Sequence, residues 1–277
     1  MGVSVLILTL NEEINLPSCL ESVAWSDDIV VFDSFSADGT VEIARAAGAR
    51  VVQRKFDNYA AQRNAALTDV DYRHPWVLMV DADERWPEAL GREIARALEA
   101  DSAGAVSLYH FRRKDMSLGR WLRRSSGYPT WAGRLVRRGH VRVERGINEE
   151  YHTDGGKAYL QGHFLHYPFS KGFTCWLERH NRYSTMEAAA LVEEVRGRAG
   201  WAGLFSRNPV TRRKAQKQLA YRLPGRPLLV FLYLYLFRMG FLDGRPGLIY
   251  CTLRMIYEYM IDLKVRELRR REKGLPI

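Results

Sequence analysis

The chain has 277 residues, of which 47% are hydrophobic and 27% are charged, so it is long and apolar enough to bury a sizeable core, and a disordered protein is excluded. Its formal net charge of +10 is unevenly placed, because nine lysines and arginines and no acidic residue lie between Arg196 and Arg226. This basic block predicts contact with an anionic surface, either lipid or nucleic acid.

Strand and helix patterns alternate through the first 111 residues. The predicted strands are Ser4–Thr9, Asp28–Asp33, Ala49–Val52, Trp76–Asp81 and Ala105–Phe111. The predicted helices are Ile14–Val23, Thr40–Ala47, a segment capped by Asn58 and running to Leu67, and Glu88–Leu98. This alternation predicts an α/β fold, with helices on both faces of a mainly parallel sheet and ligands at the carboxyl ends of its strands.

The pattern changes after Phe111. Arg112–Gly133 is basic and aromatic, which indicates an excursion that faces an acceptor. Further strands are predicted at Arg134–Arg137, Val141–Val143 and Tyr159–His166, followed by one long helix over Ser170–Val195.

Residues 196–277 form a basic and apolar tail. Leu228–Phe237 is a run of ten apolar residues, too short for a bilayer, which requires about 20. Tyrosines and basic clusters surround this run and the apolar helix pattern Leu248–Leu263, as is typical of an interfacial anchor. We expect a helical tail on an anionic membrane surface. A buried core helix and a homo-oligomer contact are the alternatives.

The cysteines and the N-terminus predict a cytoplasmic location. Cys19, Cys175 and Cys251 are widely separated and match no metal-binding spacing, which is typical of reduced thiols. No basic region precedes the apolar run Val3–Leu10, and Asn11-Glu12-Glu13 follows it directly, so a first strand is favoured over a signal peptide. Together with the tail, this predicts a peripheral protein on the inner face of the cell membrane.

Acidic residues follow three of the predicted strands at one edge of the sheet. Asp81 and Asp83 leave an apolar strand one residue apart, and such a pair needs a counter-charge, which Mg²⁺ or Mn²⁺ with phosphate oxygens supplies. An ordinary acidic loop is the alternative, and the position directly after the strand favours the metal. Asp33 ends a second strand, where it is either a nucleobase contact or a turn residue. Arg63 either pairs with a diphosphate or lies on a solvated helix face.

Four motifs in order resemble glycosyltransferase family 2 over roughly the first 110 residues. They are Val-Ser-Val-Leu-Ile-Leu-Thr-Leu-Asn-Glu-Glu, Asp-Ser-Phe-Ser-Ala-Asp-Gly-Thr, Gln-Arg-Asn-Ala-Ala-Leu and Val-Asp-Ala-Asp-Glu. The resemblance implies the GT-A fold, a nucleoside diphosphate sugar donor and inversion at the anomeric carbon. It also implies the site residues, in which Thr9, Leu10 and Glu12 line the nucleoside pocket, Asp33 meets the base, Asp81 lies near the ribose or the metal, and Asp83 binds the metal.

The second half resembles a bacterial branch that includes lipopolysaccharide-core glucosyltransferases. The matching segments are Arg134-Leu135-Val136-Arg137-Arg138, Ile147-Asn148-Glu149, Gly162-His163-Phe164-Leu165-His166-Tyr167 and Asn181-Arg182-Tyr183-Ser184. The chain departs from this branch at Asn148, where the branch usually has histidine. We interpret residues 1–111 as the nucleotide-sugar half, residues 112–195 as the acceptor and catalytic half, and residues 196–277 as the membrane-associated tail.

Inversion needs a carboxylate that takes the proton of the acceptor hydroxyl. Glu149 is the predicted base, and the adjacent Glu150 is its rival. His166 is expected to be packed or hydrogen-bonded, with the diphosphate or the metal as further contacts. Tyr128 and Trp131 either stack on an acceptor sugar or simply pack.

The sequence therefore predicts an inverting, metal-assisted transferase that moves a sugar, from UDP in preference to other nucleotides, to a hydroxyl of a cell-envelope glycan or glycolipid. A polyprenyl-phosphate glycosyltransferase is the nearest alternative, although many such enzymes carry spanning helices. A nucleic-acid-binding protein is the alternative from another class. The aromatic residues of the basic block are not interleaved as stacking platforms, and no known motif appears, so we expect no nucleic-acid partner.

Overall fold

A computed structural model of the chain describes residues 2–101, 103–144, 150–196, 212 and 225–277. The predicted base Glu149 and most of the basic block lie outside these residues. Contacts between Cα atoms divide the chain into two compact units. Unit 1 contains Met1–Trp121 and Tyr128–Lys171, and unit 2 contains Leu122–Gly127 and Gly172–Ile277.

Unit 1 contains the sheet and the first four helices. The strands are β1 (Val3–Thr9), β2 (Ile29–Asp33), β3 (Arg50–Gln53), β4 (Trp76–Asp81), β5 (Glu84–Arg85), β6 (Val106–Ser117), β7 (Arg120–Trp121), β8 (Thr130–Arg137), β9 (Val141–Glu144), β10 (Glu150–Thr153) and β11 (Gly156–His166). The helices are α1 (Leu16–Ser22), α2 (Thr40–Ala46), α3 (Tyr59–Asp69) and α4 (Glu88–Ala100). The predicted alternation of strands and helices is confirmed.

The main sheet has the strand order β3-β2-β1-β4-β8-β6-β11-β5, with β7 paired to β6, while β9 and β10 form a separate antiparallel pair. The first four strands of this order are parallel, as is the pair of β6 and β11. Strand β8 is antiparallel to both of its neighbours. The sheet is therefore mixed, with a parallel half that holds the three strands whose ends are acidic.

Two apolar layers cover the sheet because successive residues of a strand face opposite sides. Val5 and Leu78 pack with α1 and α4 on one side. Leu6 and Met79 pack with α3 on the other side. The helix α3 begins where the sequence predicts, because the Asn58 side chain accepts a hydrogen bond from the Ala61 backbone N–H.

A buried carboxylate ties the opposite end of β1 and β2 together. Asp28 accepts hydrogen bonds from Ser4 Oγ (2.5 Å) and Arg73 N (2.9 Å), and it pairs with Arg50 (2.7 Å). Burial raises the pKa of Asp28, but these hydrogen bonds and the arginine outweigh it, so the pKa lies below its ordinary value. The carboxylate therefore stabilises the fold in its ionised form.

The predicted excursion over Arg112–Gly133 is in part a strand, which corrects the sequence interpretation. Strand β6 continues to Ser117 instead of ending at Phe111, because β8 pairs with it as far as Arg113, β11 as far as Asp115, and β7 up to Ser117. The apolar pattern stops at Phe111, yet the backbone hydrogen bonding does not.

Unit 2 is helical. It contains α5 (Gly172–Arg196), α6 (Arg226–Leu232), a π-helical turn (Tyr233–Phe237), a 3₁₀ helix (Gly240–Asp243) and α7 (Arg245–Glu272). Helix α5 packs against α7, where the Lys264 ammonium donates to the backbone carbonyl and the side chain of Asn181. Across the residues that the structure describes, no helix combines the length and apolarity needed to cross a bilayer.

Candidate active site

The acidic ends of β1, β2 and β4 lie side by side at one edge of the sheet. The register pairs Thr9 with Asp33 and Leu8 with Asp81. The loops after β1 and β2 are also joined, since Asn11 N donates to Ser36 Oγ and Asn11 Oδ1 accepts from Ala37 N, both at 2.8 Å. The predicted convergence of these strand ends is confirmed.

Two non-glycine residues in these loops have left-handed backbone conformations. Asn11 has φ +54° and Phe35 has φ +60°. Such conformations cost free energy and persist when surrounding contacts fix them, which occurs often at ligand sites. Leu10 and Phe35 expose apolar side chains beside them.

Asp33 is fully buried and accepts four hydrogen bonds. Thr9 Oγ1 and Ser36 Oγ donate to Oδ1, while Ser36 N and Gln53 Nε2 donate to Oδ2. Burial raises the pKa of Asp33, but these donors bring it below its ordinary value. The hydroxyl of Thr9 is engaged by the same carboxylate. A base contact through Asp33 therefore requires one of these donors to be replaced.

Asp81 has arginine partners for both of its oxygens, which corrects the argument that a metal must neutralise it. Arg63 Nη2 donates to Oδ1 (2.8 Å), and Arg134 Nη2 donates to Oδ2 (2.7 Å). Arg134 also pairs with the fully buried Glu84 (2.6 Å). Burial raises the pKa of Asp81, yet the two guanidiniums hold it far below its ordinary value. Arg63 is nearly fully buried in this pair and does not lie on a solvated helix face.

Asp83 lies beside a histidine that is held by a second carboxylate. His166 Nε2 is 3.5 Å from Asp83 Oδ2, and His166 Nδ1 is 2.6 Å from Asp115 Oδ1. Burial lowers the pKa of His166, but Asp83 and Asp115 outweigh it and raise the pKa to about 9. Histidines that bind metals commonly have this contact between the second ring nitrogen and a carboxylate.

These residues fit a divalent cation that takes some of its ligands from a phosphate. Among the described residues, no group of three or more His, Cys, Asp or Glu side chains is arranged to hold a metal ion. Mg²⁺ is usually held by one or two carboxylates and by substrate phosphates, with no complete protein cage. Asp83 with His166 therefore suits a cation whose remaining ligands are donor oxygens and water.

Glu12 lies at the same edge and brings a cation that the sequence interpretation missed. Its carboxylate pairs with Lys171 Nζ (2.5 Å) and accepts a hydrogen bond from Asn15 Nδ2 (2.7 Å). Burial raises the pKa of Glu12 more than these partners lower it, and Asp83 raises it further. Glu12 and Asp83 are thus close enough to interact.

Of the two predicted bases, the structure describes Glu150 alone. Glu149 lies outside the described residues. Glu150 begins β10, and its side chain is exposed. The preceding strand β9 is anchored to α3, since the Asn64 amide donates to Val143 O (2.7 Å) and accepts from Val143 N (2.9 Å). Asn64 follows Arg63, so this anchor lies beside the pair of Arg63 and Asp81.

Four site residues were not singled out as such in the sequence. They are Glu84, Asp115, Arg134 and Lys171. Arg134 belongs to the Arg-Leu-Val-Arg-Arg segment and Glu84 to the Asp-Ala-Asp-Glu segment, so both carried a signal in the motifs. Asp115 and Lys171 carried none, because their positions depend on the pairing of β6 with β11 and on the turn that follows β11.

Comparisons with known proteins identify what this chain is similar to. The family model described as Glycosyl transferase family 2 matches residues 4–164. The lipopolysaccharide core biosynthesis glycosyltransferase LpsC of Rhizobium meliloti (strain 1021) is 28% identical over 96% of this chain and 92% of its own length. An uncharacterized glycosyltransferase of Rickettsia typhi is 23% identical over 99% of this chain and 89% of its own length.

A solved structure supports the same fold. The mannosyltransferase PcManGT from Pyrobaculum calidifontis, in complex with GDP-Man and Mn²⁺, superposes with a TM-score of 0.50 at 17% identity. The match covers 95% of this chain and 86% of that one. At this identity the likeness concerns the fold alone.

Proposed function

Since the chain belongs to glycosyl transferase family 2 and is therefore a nucleotide-sugar-dependent glycosyltransferase, we propose that it transfers a sugar from a UDP-sugar to a hydroxyl of a cell-envelope glycan or glycolipid, with inversion and with a divalent cation. The observation that carries the proposal is the contact of Asp83 with His166, held by Asp115, at the edge where β1, β2 and β4 end. This edge is where open α/β sheets bind their ligands.

Asp83 and His166 hold Mg²⁺ or Mn²⁺ in this proposal. Held there, the ion would supply positive charge against the diphosphate that leaves. Asp115 keeps the His166 ring in one orientation by accepting from Nδ1, which directs Nε2 toward Asp83. Arg63 and Arg134 hold Asp81 at the end of β4 and thereby fix the turn that carries Asp83.

Thr9, Leu10, Glu12 and Asp33 form the nucleoside side of the site. The buried hydrogen bonds of Asp33 join Thr9 to the loop after β2, so this wall is rigid before the donor arrives. Asp81 lies beside these residues at the end of β4, where its pairs with Arg63 and Arg134 fix its position. A preformed pocket lowers the entropic cost of binding.

Glu149 is the general base that takes the proton of the acceptor hydroxyl as the oxygen attacks the anomeric carbon. Two features support this assignment. Strand β9, which precedes residues 145–149, is held to α3 next to Arg63, and β10 begins directly after Glu149. Both ends of the segment with the base thus lie in unit 1 with the donor residues.

Donor and metal are tested together by calorimetry and donor hydrolysis across UDP- and GDP-sugars, with and without Mn²⁺. We expect binding that depends on Mn²⁺ and favours UDP-sugars, and Asp83→Asn should lower turnover at least about 100-fold. Full activity of Asp83→Asn in the presence of a chelator would overturn the proposal.

The base is tested by a matched pair of variants. Glu149→Gln should abolish transfer while donor binding persists, whereas Glu150→Gln should keep most of the turnover. Near-normal turnover of Glu149→Gln, or loss of transfer in Glu150→Gln alone, would contradict the assignment to Glu149.

The proposal also includes association of unit 2 with the anionic inner face of the cell membrane. The segment from α6 to the start of α7 exposes ten large apolar side chains. They are Leu228, Leu229, Leu232, Tyr233, Leu236, Phe237, Met239, Phe241, Leu242 and Leu248. The only acidic residue between positions 226 and 250 is Asp243, which is buried, while Arg238 and Arg245 lie in the same segment. An apolar patch with arginines in the same segment matches the chemistry of an anionic lipid surface.

Flotation with vesicles of phosphatidylglycerol or of phosphatidylcholine tests this association. Phe237, which is 79% exposed, should insert, so Phe237→Ser should weaken binding to the anionic vesicles about tenfold or more. Ile14→Ser is the matched control, because Ile14 is 64% exposed in unit 1 and should not contribute. If Phe237→Ser dissociates a dimer and leaves flotation unchanged, the patch is a contact between copies of the chain.

A further inference from the structure

One face of β6 carries cations and is flanked by aromatic side chains. His110, Arg112 and Lys114 alternate along the strand and therefore share a face. The register places Tyr159 of β11 opposite His110, and Trp131 of β8 opposite Arg112. We call these five residues the aromatic–cationic surface.

Four of these side chains contact one another, Lys114 lies over the ring of Trp121 at 4.4 Å, and all five are at least partly accessible. His110 stacks on Tyr159 with ring centroids 4.7 Å apart, and Trp131 meets Tyr159 edge to face at 5.1 Å. Arg112 lies over the Trp131 ring at 5.8 Å. Trp131 is 37% exposed and Tyr159 is 54% exposed, so both rings are accessible to a ligand.

Positive charge dominates this face. Burial lowers the pKa of the neighbouring His163, and Lys114 and Arg112 lower it further. Among the described residues no carboxylate lies within 4.0 Å of the Arg112 guanidinium. Glu93 is the acid that interacts with His163, and its two oxygens already accept from Gln161 N and Gly162 N.

The surface is connected to the catalytic edge through two strands. Strand β8 carries Trp131, and three residues later it carries Arg134, which reaches Asp81 at 2.7 Å. Lys157, two residues before Tyr159, donates to the backbone carbonyl of Tyr151 in β10. Strand β10 follows the proposed base directly. Strands β8 and β11 thus connect this surface to Asp81 and to the strand that follows the proposed base.

We propose that the aromatic–cationic surface binds an acidic sugar of the acceptor, one that carries a phosphate or a carboxylate. The inference rests on the proposed glycosyl transfer and specifies the chemical class of its acceptor. Trp131 and Tyr159 cover the C–H face of a sugar ring, and Arg112 with Lys114 pairs with its anionic group. A neutral sugar uses the rings alone, so the cations determine the preference.

Ligand-observed NMR titrations of the full chain with glucose, glucose 6-phosphate and glucuronate test the inference. Both acidic sugars should bind about tenfold more tightly than glucose, and the difference should shrink as salt is added. Arg112→Gln should remove the preference. Trp131→Leu should weaken all three sugars by a similar factor. Arg96→Gln, which alters an exposed arginine of α4, is the matched control and should keep the preference.

Calorimetry with UDP and Mn²⁺ on the same proteins tests the proposed transferase site separately from the acceptor inference. It also reports whether each variant is folded. Equal binding of the three sugars, failure of both acidic sugars to bind, or a preference that survives Arg112→Gln would overturn the acceptor inference. Nucleotide binding then remains as the measure of the proposed function. Failure of the wild-type chain to bind nucleotide with Mn²⁺ would instead count against the transferase site.

Discussion

Replacement of Arg134 by methionine is expected to destabilise unit 1 strongly. The guanidinium is nearly buried and pairs with Asp81 (2.7 Å) and with the fully buried Glu84 (2.6 Å). Asp81 keeps Arg63 as a partner after the change, but among the described residues Arg134 is the one cation within salt-bridge distance of Glu84. Methionine fills a similar volume, so the main loss is the charge and its hydrogen bonds.

The magnitude follows from the burial of the pair. At an effective dielectric constant of about 20, opposite charges 3 to 4 Å apart attract by about 4–6 kcal/mol. Desolvation offsets much of this in the intact pair, yet removal of one partner leaves the other charge buried and typically costs about 3–5 kcal/mol. We therefore expect the free energy of unfolding to fall by about 3–5 kcal/mol in Arg134→Met.

Urea unfolding at neutral pH measures this difference. The double variant Arg134→Met with Glu84→Gln should recover about 2 kcal/mol, because it removes the stranded carboxylate. Arg92→Met is the control, since the pair of Arg92 and Glu88 is exposed and should contribute less than about 1 kcal/mol. A loss below about 1 kcal/mol in Arg134→Met, or no recovery in the double variant, would refute the reasoning.

Three further predictions concern single side chains. Asp115→Asn should weaken Mn²⁺ binding by about 10–100-fold in calorimetry, because the carboxylate orients His166, and unchanged affinity would contradict that role. Asp28→Asn should lower the free energy of unfolding by about 1–3 kcal/mol at pH 7. Because the pKa of Asp28 is lowered in the folded state, this stabilisation begins to decline below the ordinary pKa of about 4 and is lost as the pH falls through the folded-state pKa, so the two urea curves should converge progressively in acid. Asn58→Ala should cost about 1 kcal/mol, and Asn58→Asp, which keeps a capping oxygen, should cost less.

The parallel half of the fold was predictable because three of its strands, β1, β2 and β4, are buried on both faces. The predicted strand Trp76–Asp81 matches β4 residue for residue, since a short run of apolar β-formers between polar ends is typical of a buried strand. The end of β6 was not predictable in this way. Beyond Phe111 the strand is polar, and it is maintained by pairing with neighbouring strands such as β8. Local periodicity does not reveal which strands pair.

The site, like the fold, was predictable only in part. Family membership and the meeting of three acidic strand ends followed from motifs and from the geometry of parallel sheets, and both are confirmed. The partners of those acids were not foreseen. Arg134 reaches Asp81 because β8 runs antiparallel beside β4, and Asp115 reaches His166 because β6 and β11 pair in parallel. Such long-range pairings decide which charges meet.

These pairings leave the acidic edge balanced in charge before any donor arrives. Asp81 and Glu84 face Arg63 and Arg134, while Asp83 and Asp115 face His166 and Arg113. A divalent cation on the proposed ligands Asp83 and His166 would displace the proton of His166, so it would add one positive charge, which the diphosphate of the donor would offset. Among the described residues no group of three or more acidic, histidine or cysteine side chains is arranged to hold a metal, so the donor phosphates are the fitting source of the ligands beyond the proposed Asp83 and His166.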